Sequence, residues 1–222
     1  MEDVRIIEVK RSVFADNDAD AERLRQQLQQ EKTFLLNLMS SPGAGKTTLL
    51  RRIAAELEGK LRFAVMEADV DSDVDARAMR QIGVDSIQIH TGGMCHLDAD
   101  MTRQGLAQLD RTDIDLVILE NVGNLVCPAE FDTGASANVT ILSVPEGDDK
   151  PLKYPLMYET CDLLIINKID VLPYFDFDPE AAAAHARMRN PQIEVIEISA
   201  RTGEGIDRLA DWFAGQTARW NG

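Results

Sequence analysis

The chain has 222 residues, 45% of them hydrophobic and 27% charged, with a formal net charge of -15 at pH 7. That length suits one domain able to bury roughly 70% of its unfolded surface in a single core. So acidic a chain lacks the Lys/Arg clusters that nucleic acid or an anionic membrane requires, and neither is expected as a partner. No apolar run reaches the ~20 residues of a spanning helix, and Met1-Glu2-Asp3 carries neither part of a signal peptide, so a cytoplasmic protein is expected. Cys95, Cys127 and Cys161 form an odd set without repeating spacing, which reads as reduced thiols or metal ligands.

In chain order, Val4 to Val9 alternates weakly and predicts a short edge strand. Asp16-Asn17-Asp18 then offers caps for a helix over Ala19 to Glu31, with Ala21, Leu24 and Leu28 at helical spacing. Residues 1–32 are thus expected as a strand and helix packed on a larger unit of 33–222. No His-rich or Cys-rich tract appears in this N-terminal part.

The apolar run Leu35 to Met39 feeds Ser40-Ser41-Pro42-Gly43-Ala44-Gly45-Lys46-Thr47-Thr48, which reads as a phosphate-binding loop. Glycines let backbone N–H groups converge on phosphate oxygens, and a helix from Lys46 to about Glu58 aims its positive dipole end at the same place. Gly43, Ala44, Gly45 and Thr48 are therefore expected around the phosphates. Lys46 would reach the terminal ones, and the Thr47 hydroxyl would hold Mg²⁺. The consensus asks for Gly where this chain has Ser40.

Beyond this loop short β-rich runs alternate with helical patterns. Strands are predicted near Leu61–Glu67, Ser86–His90, Leu116–Glu120, Val139–Val144, Leu163–Asn167 and Ile193–Ile198. Helices are predicted around Ala76–Ile82, Leu97–Leu109, Leu152–Thr160, Pro179–Met188 and Ile206–Thr217. The alternation implies βαβ units: an α/β fold, a mostly parallel sheet between helices, with ligands at the carboxyl ends of the strands.

Several such ends carry chemistry. The second strand leads into Asp69, Asp71, Asp73 and Asp75. Asp71 and Asp73 suit a solvated helix start, whereas Asp69 is placed to orient a water and Asp75 to join Thr47 around Mg²⁺. Leu116-Val117-Ile118-Leu119 runs into Glu120-Asn121-Val122-Gly123, an acid to support the metal and a Gly N–H to sense the terminal phosphate. Asn167-Lys168-Ile169-Asp170 is an N-K-x-D pattern, in which a carboxylate accepts two N–H bonds that guanine offers and adenine does not. Ser199-Ala200-Arg201 matches the loop whose backbone meets the guanine oxygen, so GTP is the expected nucleotide.

Thr91 to His96 follows one strand and Gly123 to Pro128 another, so Cys95, His96 and Cys127 are expected to converge. Two thiolates and an imidazole suit Zn²⁺ or Ni²⁺, with one position open or filled by a second subunit. Cys161 reads as a small buried thiol, and His90 and His185 receive no role. Val171-Leu172-Pro173-Tyr174-Phe175 is an apolar loop, in which Val171 and Phe175 are expected to meet a second chain. Lys150 and Lys153 are candidates to reach a nucleotide.

With these motifs in place the chain resembles the hydrogenase nickel-incorporation GTPases (HypB), metallochaperones of the SIMIBI class of phosphate-loop GTPases. The resemblance rests on S-S-P-G-A-G-K-T-T at 40–48, G-G-M-C-H at 92–96, E-N-V-G-N-L-V-C-P at 120–128, P-E-G-D-D-K-P-L-K-Y-P at 145–155 and N-K-I-D at 167–170. It implies GTP hydrolysis coupled to nickel delivery to the large subunit of a [NiFe] hydrogenase, together with a partner nickel metallochaperone. It also implies a GTP-dependent homodimer, with Cys95, His96 and Cys127 as metal ligands. Ser40 in the loop is in keeping with this group. Two alternatives stay open: a related GTPase serving urease or cobalamin-enzyme metal centres, and a metal-binding or redox-thiol protein whose nucleotide only stabilises the fold.

Overall fold

The computed structural model describes residues 9–69 and 79–222. Helix α1 spans Val9–Gln30. It is followed by β1 (Phe34–Ser40), α2 (Lys46–Leu57), β2 (Phe63–Asp69) and β3 (Asp85–His90). Next come α3 (Ala99–Leu106), β4 (Leu116–Glu120), α4 (Cys127–Glu130) and β5 (Ala137–Ser143). Helices α5 (Lys150–Lys153) and α6 (Pro155–Glu159), strand β6 (Leu163–Asn167), helix α7 (Pro179–Arg189), strand β7 (Glu194–Glu197) and helix α8 (Ile206–Asn221) complete the chain.

The strands form one seven-stranded sheet in the order β3-β2-β4-β1-β5-β6-β7. Every pairing is parallel. Strands β1, β4 and β6 are buried along their whole length, as continuous apolar runs covered on both faces must be. Alternate residues choose the face. Leu36, Leu38, Ile118, Val139 and Ile165 pack with Leu49, Leu50, Ile53 and Leu57 of α2 and with Leu209 and Phe213 of α8. On the other face Leu35, Val117 and Leu119 meet Leu24 and Leu28 of α1, while Leu164 and Ile166 meet Met157, Tyr158 and Ala182. Each such side chain withdrawn from water contributes about 1.5–3 kcal/mol. From adjacent strands β1 and β5 the chain leads to opposite sides of the sheet, so a crevice opens at their carboxyl ends.

Several expected elements shift. The predicted Val4–Val9 strand falls mostly outside the described residues, and Val9 itself is helical. Helix α1 begins ten residues before Ala19 and runs through Asp16-Asn17-Asp18 without a cap there. The single helix expected over Leu152–Thr160 is broken in two, because Pro155 lacks an N–H and drives Tyr154 to φ -126° and ψ 60°. The predicted Ala76–Ile82 helix lies partly outside the described residues, with 79–81 helical. Among the described residues no helix is long and apolar enough to cross a membrane.

Candidate nucleotide and metal site

The turn between β1 and α2 passes through Gly43 at φ 75° and Gly45 at φ 104°, a left-handed geometry that costs glycine little. No side chain caps α2, so its first N–H groups remain for a ligand. The Lys46 ammonium donates to Ser40 Oγ at 3.1 Å and lies 3.9 Å from Glu120 Oε1. The residue that departs from the consensus thus positions the lysine. Thr47 is half-buried and Thr48 exposed at the start of α2.

On one side of this turn lies a cavity of about 200 Å³ lined by Gly45, Thr48, Asn167, Lys168, Asp170, Val171, Ala200 and Arg201. The N-K-x-D residues build it. Buried Asn167 donates to the Ala44 carbonyl at 2.9 Å and accepts the N–H groups of Lys168 and Ala200 at 2.8 and 3.1 Å. Lys168 Nζ donates to the Gly43 carbonyl at 2.7 Å. These bonds tie the glycine turn to the N-K-x-D loop. Asp170 accepts from Ser199 Oγ at 2.7 Å, and Arg52 of α2 holds the Ala200 and Arg201 carbonyls. Contact between Asn167 and the turn also demands Gly45, where a Cβ would stand 2.7 Å from Asn167 Nδ2.

On the other side a cavity of about 340 Å³ is lined by Pro42, Gly43, Lys46, Glu67, Gln88, Glu120, Asn121 and Gly123 among others. Glu120 is buried at its end, and Gly123 lies so near the turn that a Cβ would meet Pro42 backbone at 3.2 Å. Sequence reasoning passed over three of these residues. Glu67 is in register with Glu120 on the neighbouring strand and with Gln88 on the next. Asn121 donates to Asn37 Oδ1 at 3.0 Å, and its own Oδ1 accepts the Val122 N–H, which fixes the turn after the acid. Parallel register brings these residues together, and only a strand order reveals that. Asp69 ends β2, whereas Asp75 lies outside the described residues.

Cys95 follows β3 and is exposed, while Cys127 opens α4 and is half-buried. Interaction with the Cys95 thiol, and then burial, push the Cys127 thiol up from its ordinary range. His96 does not join them: its ring stacks on Phe131 with centroids 3.8 Å apart, and its Nδ1 is buried without a hydrogen-bond partner. Burial lowers the His96 pKa, against the opposing charges of Asp98 and Glu130. Among the described residues no three His, Cys, Asp or Glu side chains stand together in a metal-holding group. The two thiols therefore interact with each other, while the imidazole packs on Phe131.

Outside the site, Cys161 is buried, as expected of a packing thiol. Val171 is partly buried against the chain's own core and lines the smaller cavity, whereas Tyr174 and Phe175 are 82% and 45% exposed. Lys150 lies over the Tyr154 ring and Lys153 pairs with Asp149 at 2.6 Å.

The family model described as CobW/HypB/UreG, nucleotide-binding domain, matches residues 34–197. The hydrogenase maturation factor HypB of Azotobacter vinelandii is 49% identical over 213 residues, covering 96% of this chain and 70% of that protein. HypB of Escherichia coli K12 is 46% identical over 212 residues, 96% of this chain and 73% of that protein. The crystal structure of HypB from Helicobacter pylori in complex with nickel superposes with a TM-score of 0.87 at 35% identity, covering 92% of this chain and 96% of that one.

Proposed function

Because the chain belongs to the HypB family of hydrogenase maturation factors, we propose that it hydrolyses GTP to GDP and phosphate and uses that cycle to help deliver nickel to a [NiFe] hydrogenase. One observation carries the reading: residues 120–127 form a single short segment that begins in the phosphate cavity at Glu120 and ends at the thiol pair with Cys127. Whatever the γ-phosphate does to Gly123 is felt four residues away by a metal ligand.

In this reading Asp170, Asn167, Lys168, Ser199 and Ala200 select guanine, and the N–H groups of 43–48 hold the phosphates. Lys46 leaves Ser40 and Glu120 to neutralise the terminal phosphate, and Asp69 orients the attacking water. Glu67 and Glu120 line the phosphate cavity together with Lys46, and carboxylate oxygens suit a hard divalent cation. Thr47, Asp75 and Glu120 would hold Mg²⁺, which supplies charge neutralisation at the phosphate oxygens. No arginine finger stands out in the sequence, so slow turnover that awaits a partner is expected.

Nickel is the cargo. Cys95 and Cys127 supply soft donors, and His96 joins them once its ring swings off Phe131, while Zn²⁺ accepts the same set. Exposed Tyr174 and Phe175 form the natural contact for a GTP-dependent homodimer. A nickel metallochaperone and the hydrogenase large subunit complete the partners, all in the cytoplasm.

The deciding experiment is Ni²⁺ binding with GDP and with a non-hydrolysable GTP analogue, in the parent and in Cys127→Ala, beside GTP hydrolysis in Lys46→Ala. Nucleotide-dependent binding that disappears with Cys127, and hydrolysis that disappears with Lys46, are expected. Binding indifferent to both nucleotide and Cys127 would refute the coupling.

A further inference from the structure

The loops that carry the thiols leave β3 and β4, which are not neighbours, since β2 lies between them. At ~4.8 Å per strand their roots are roughly 10 Å apart, and no sheet hydrogen bond links them. The connection comes from outside the sheet. Asn17 of α1 accepts the Ala99 N–H on Oδ1 at 3.0 Å and donates from Nδ2 to the Asp132 carbonyl at 2.9 Å. Ala99 lies three residues past His96 and Asp132 five past Cys127. One amide side chain therefore ties the two metal-bearing loops to each other.

A second tie lies about two turns along the same helix. Arg25 Nη2 donates to both oxygens of the Asp132 carboxylate, at 2.8 and 2.9 Å, and its Nε donates to the Ala135 carbonyl at 3.0 Å. Between these ties Leu24 packs into a cluster that holds both Leu97 and Ala135, and it presses so closely on Gly134 that a Cβ there would meet it at 2.8 Å. Phe131, next to the doubly held Asp132, carries the stacked His96 ring. The segments that carry Cys95, His96 and Cys127 are thus both anchored on α1.

Local preference does not explain Asn17. In a helix interior Asn is worse than Ala by up to about 0.7 kcal/mol, because its side chain competes for backbone groups. Its position within Asp16-Asn17-Asp18 reads as a cap, yet the helix passes straight through and the amide spends its bonds on distant loops.

We propose that α1 is the positioning element of the thiol site, with Asn17 and Arg25 holding the 92–98 and 124–132 loops in fixed relation so that Cys95 and Cys127 meet. The consequence for metal affinity rests on the nickel reading above, but the coupling of the loops does not.

The test uses the full chain and Ni²⁺ alone, followed by thiolate-to-nickel charge-transfer absorption and chelator competition. Asn17→Ala, which raises helix propensity and so spares α1, should weaken Ni²⁺ binding roughly five- to tenfold, as loss of two tertiary hydrogen bonds implies. GTP affinity should stay within about twofold, since Asn17 lines neither nucleotide cavity. Arg25→Ala should act in the same direction, and Arg23→Ala, on the exposed side of the same helix, should not. In a Cys127→Ala background Asn17→Ala should have no further effect. Hydrogen exchange supplies a metal-independent readout: amides of 92–99 and 126–134 should quicken together in Asn17→Ala. Unchanged nickel affinity and exchange confined to one loop would show α1 to be a packing helix only, and overturn the proposal. If Cys127→Ala leaves Ni²⁺ binding untouched while both loops still quicken, the metal reading fails and the clamp stands.

Discussion

Replacing Asn167 with alanine should cost the protein its nucleotide and a measurable part of its stability. The amide is 1% exposed, and its three hydrogen bonds join the phosphate turn at Ala44 to the loop at Ala200. Truncation strands the Ala44 carbonyl and the Ala200 N–H, both on residues that are almost wholly buried. A buried backbone group left unpaired costs about 1–3 kcal/mol, so the pair amounts to about 2–4 kcal/mol once water enters the gap. Urea unfolding should show that loss as a lower midpoint at unchanged slope, since the surface exposed on unfolding barely changes. Affinity for GDP should fall by at least about tenfold, because turn and base loop are no longer held at one separation. A stability loss under about 0.5 kcal/mol with normal GDP affinity would refute the view that Asn167 braces the site.

Other substitutions probe the rest of the site. Gly45→Ala should reduce GTP affinity by about tenfold or more, since its Cβ meets Asn167 at 2.7 Å on a backbone at φ 104°; fluorescent-nucleotide titration reads this directly. Asp170→Asn should lower GTP affinity and raise that for a purine bearing a carbonyl where guanine bears its amine, because the new amide can donate; competition between the two nucleotides checks it. Burial pushes the Cys161 thiol far up, so a thiol reagent should modify Cys95 in the native protein and Cys161 only after unfolding. Because that pKa is raised on folding, its contribution is fully present below the unfolded value near 8.5 and fades as pH rises. Stability should decline by about 2 kcal/mol by pH 10, a decline that Cys161→Ala removes. Phe175→Asp should abolish GTP-dependent dimerisation in sedimentation while leaving GTP affinity unchanged, and a normal dimer would point to another interface.

The sequence by itself determined what contiguous residues can state. The glycine turn with Lys46 and Thr47, the apolar strands, the N-K-x-D run and the acid-to-glycine spacing of Glu120 and Gly123 each encode their conformation within a few neighbours, so they were legible without a fold. Tertiary structure decided whatever depends on which strand lies beside which. The β3-β2-β4 order set Glu67 in register with both Glu120 and Gln88, and packing laid Val171 partly against the chain's own core. Asn17 shows the same limit most sharply: its local preference says helix cap, and only the energy of two distant, otherwise unmatched backbone groups explains why the helix runs through it. Hydrophobic periodicity and turn chemistry are local free energies and survive in a string of letters. Register and hydrogen bonds across about a hundred residues are cooperative, and they exist only once the sheet has chosen its order.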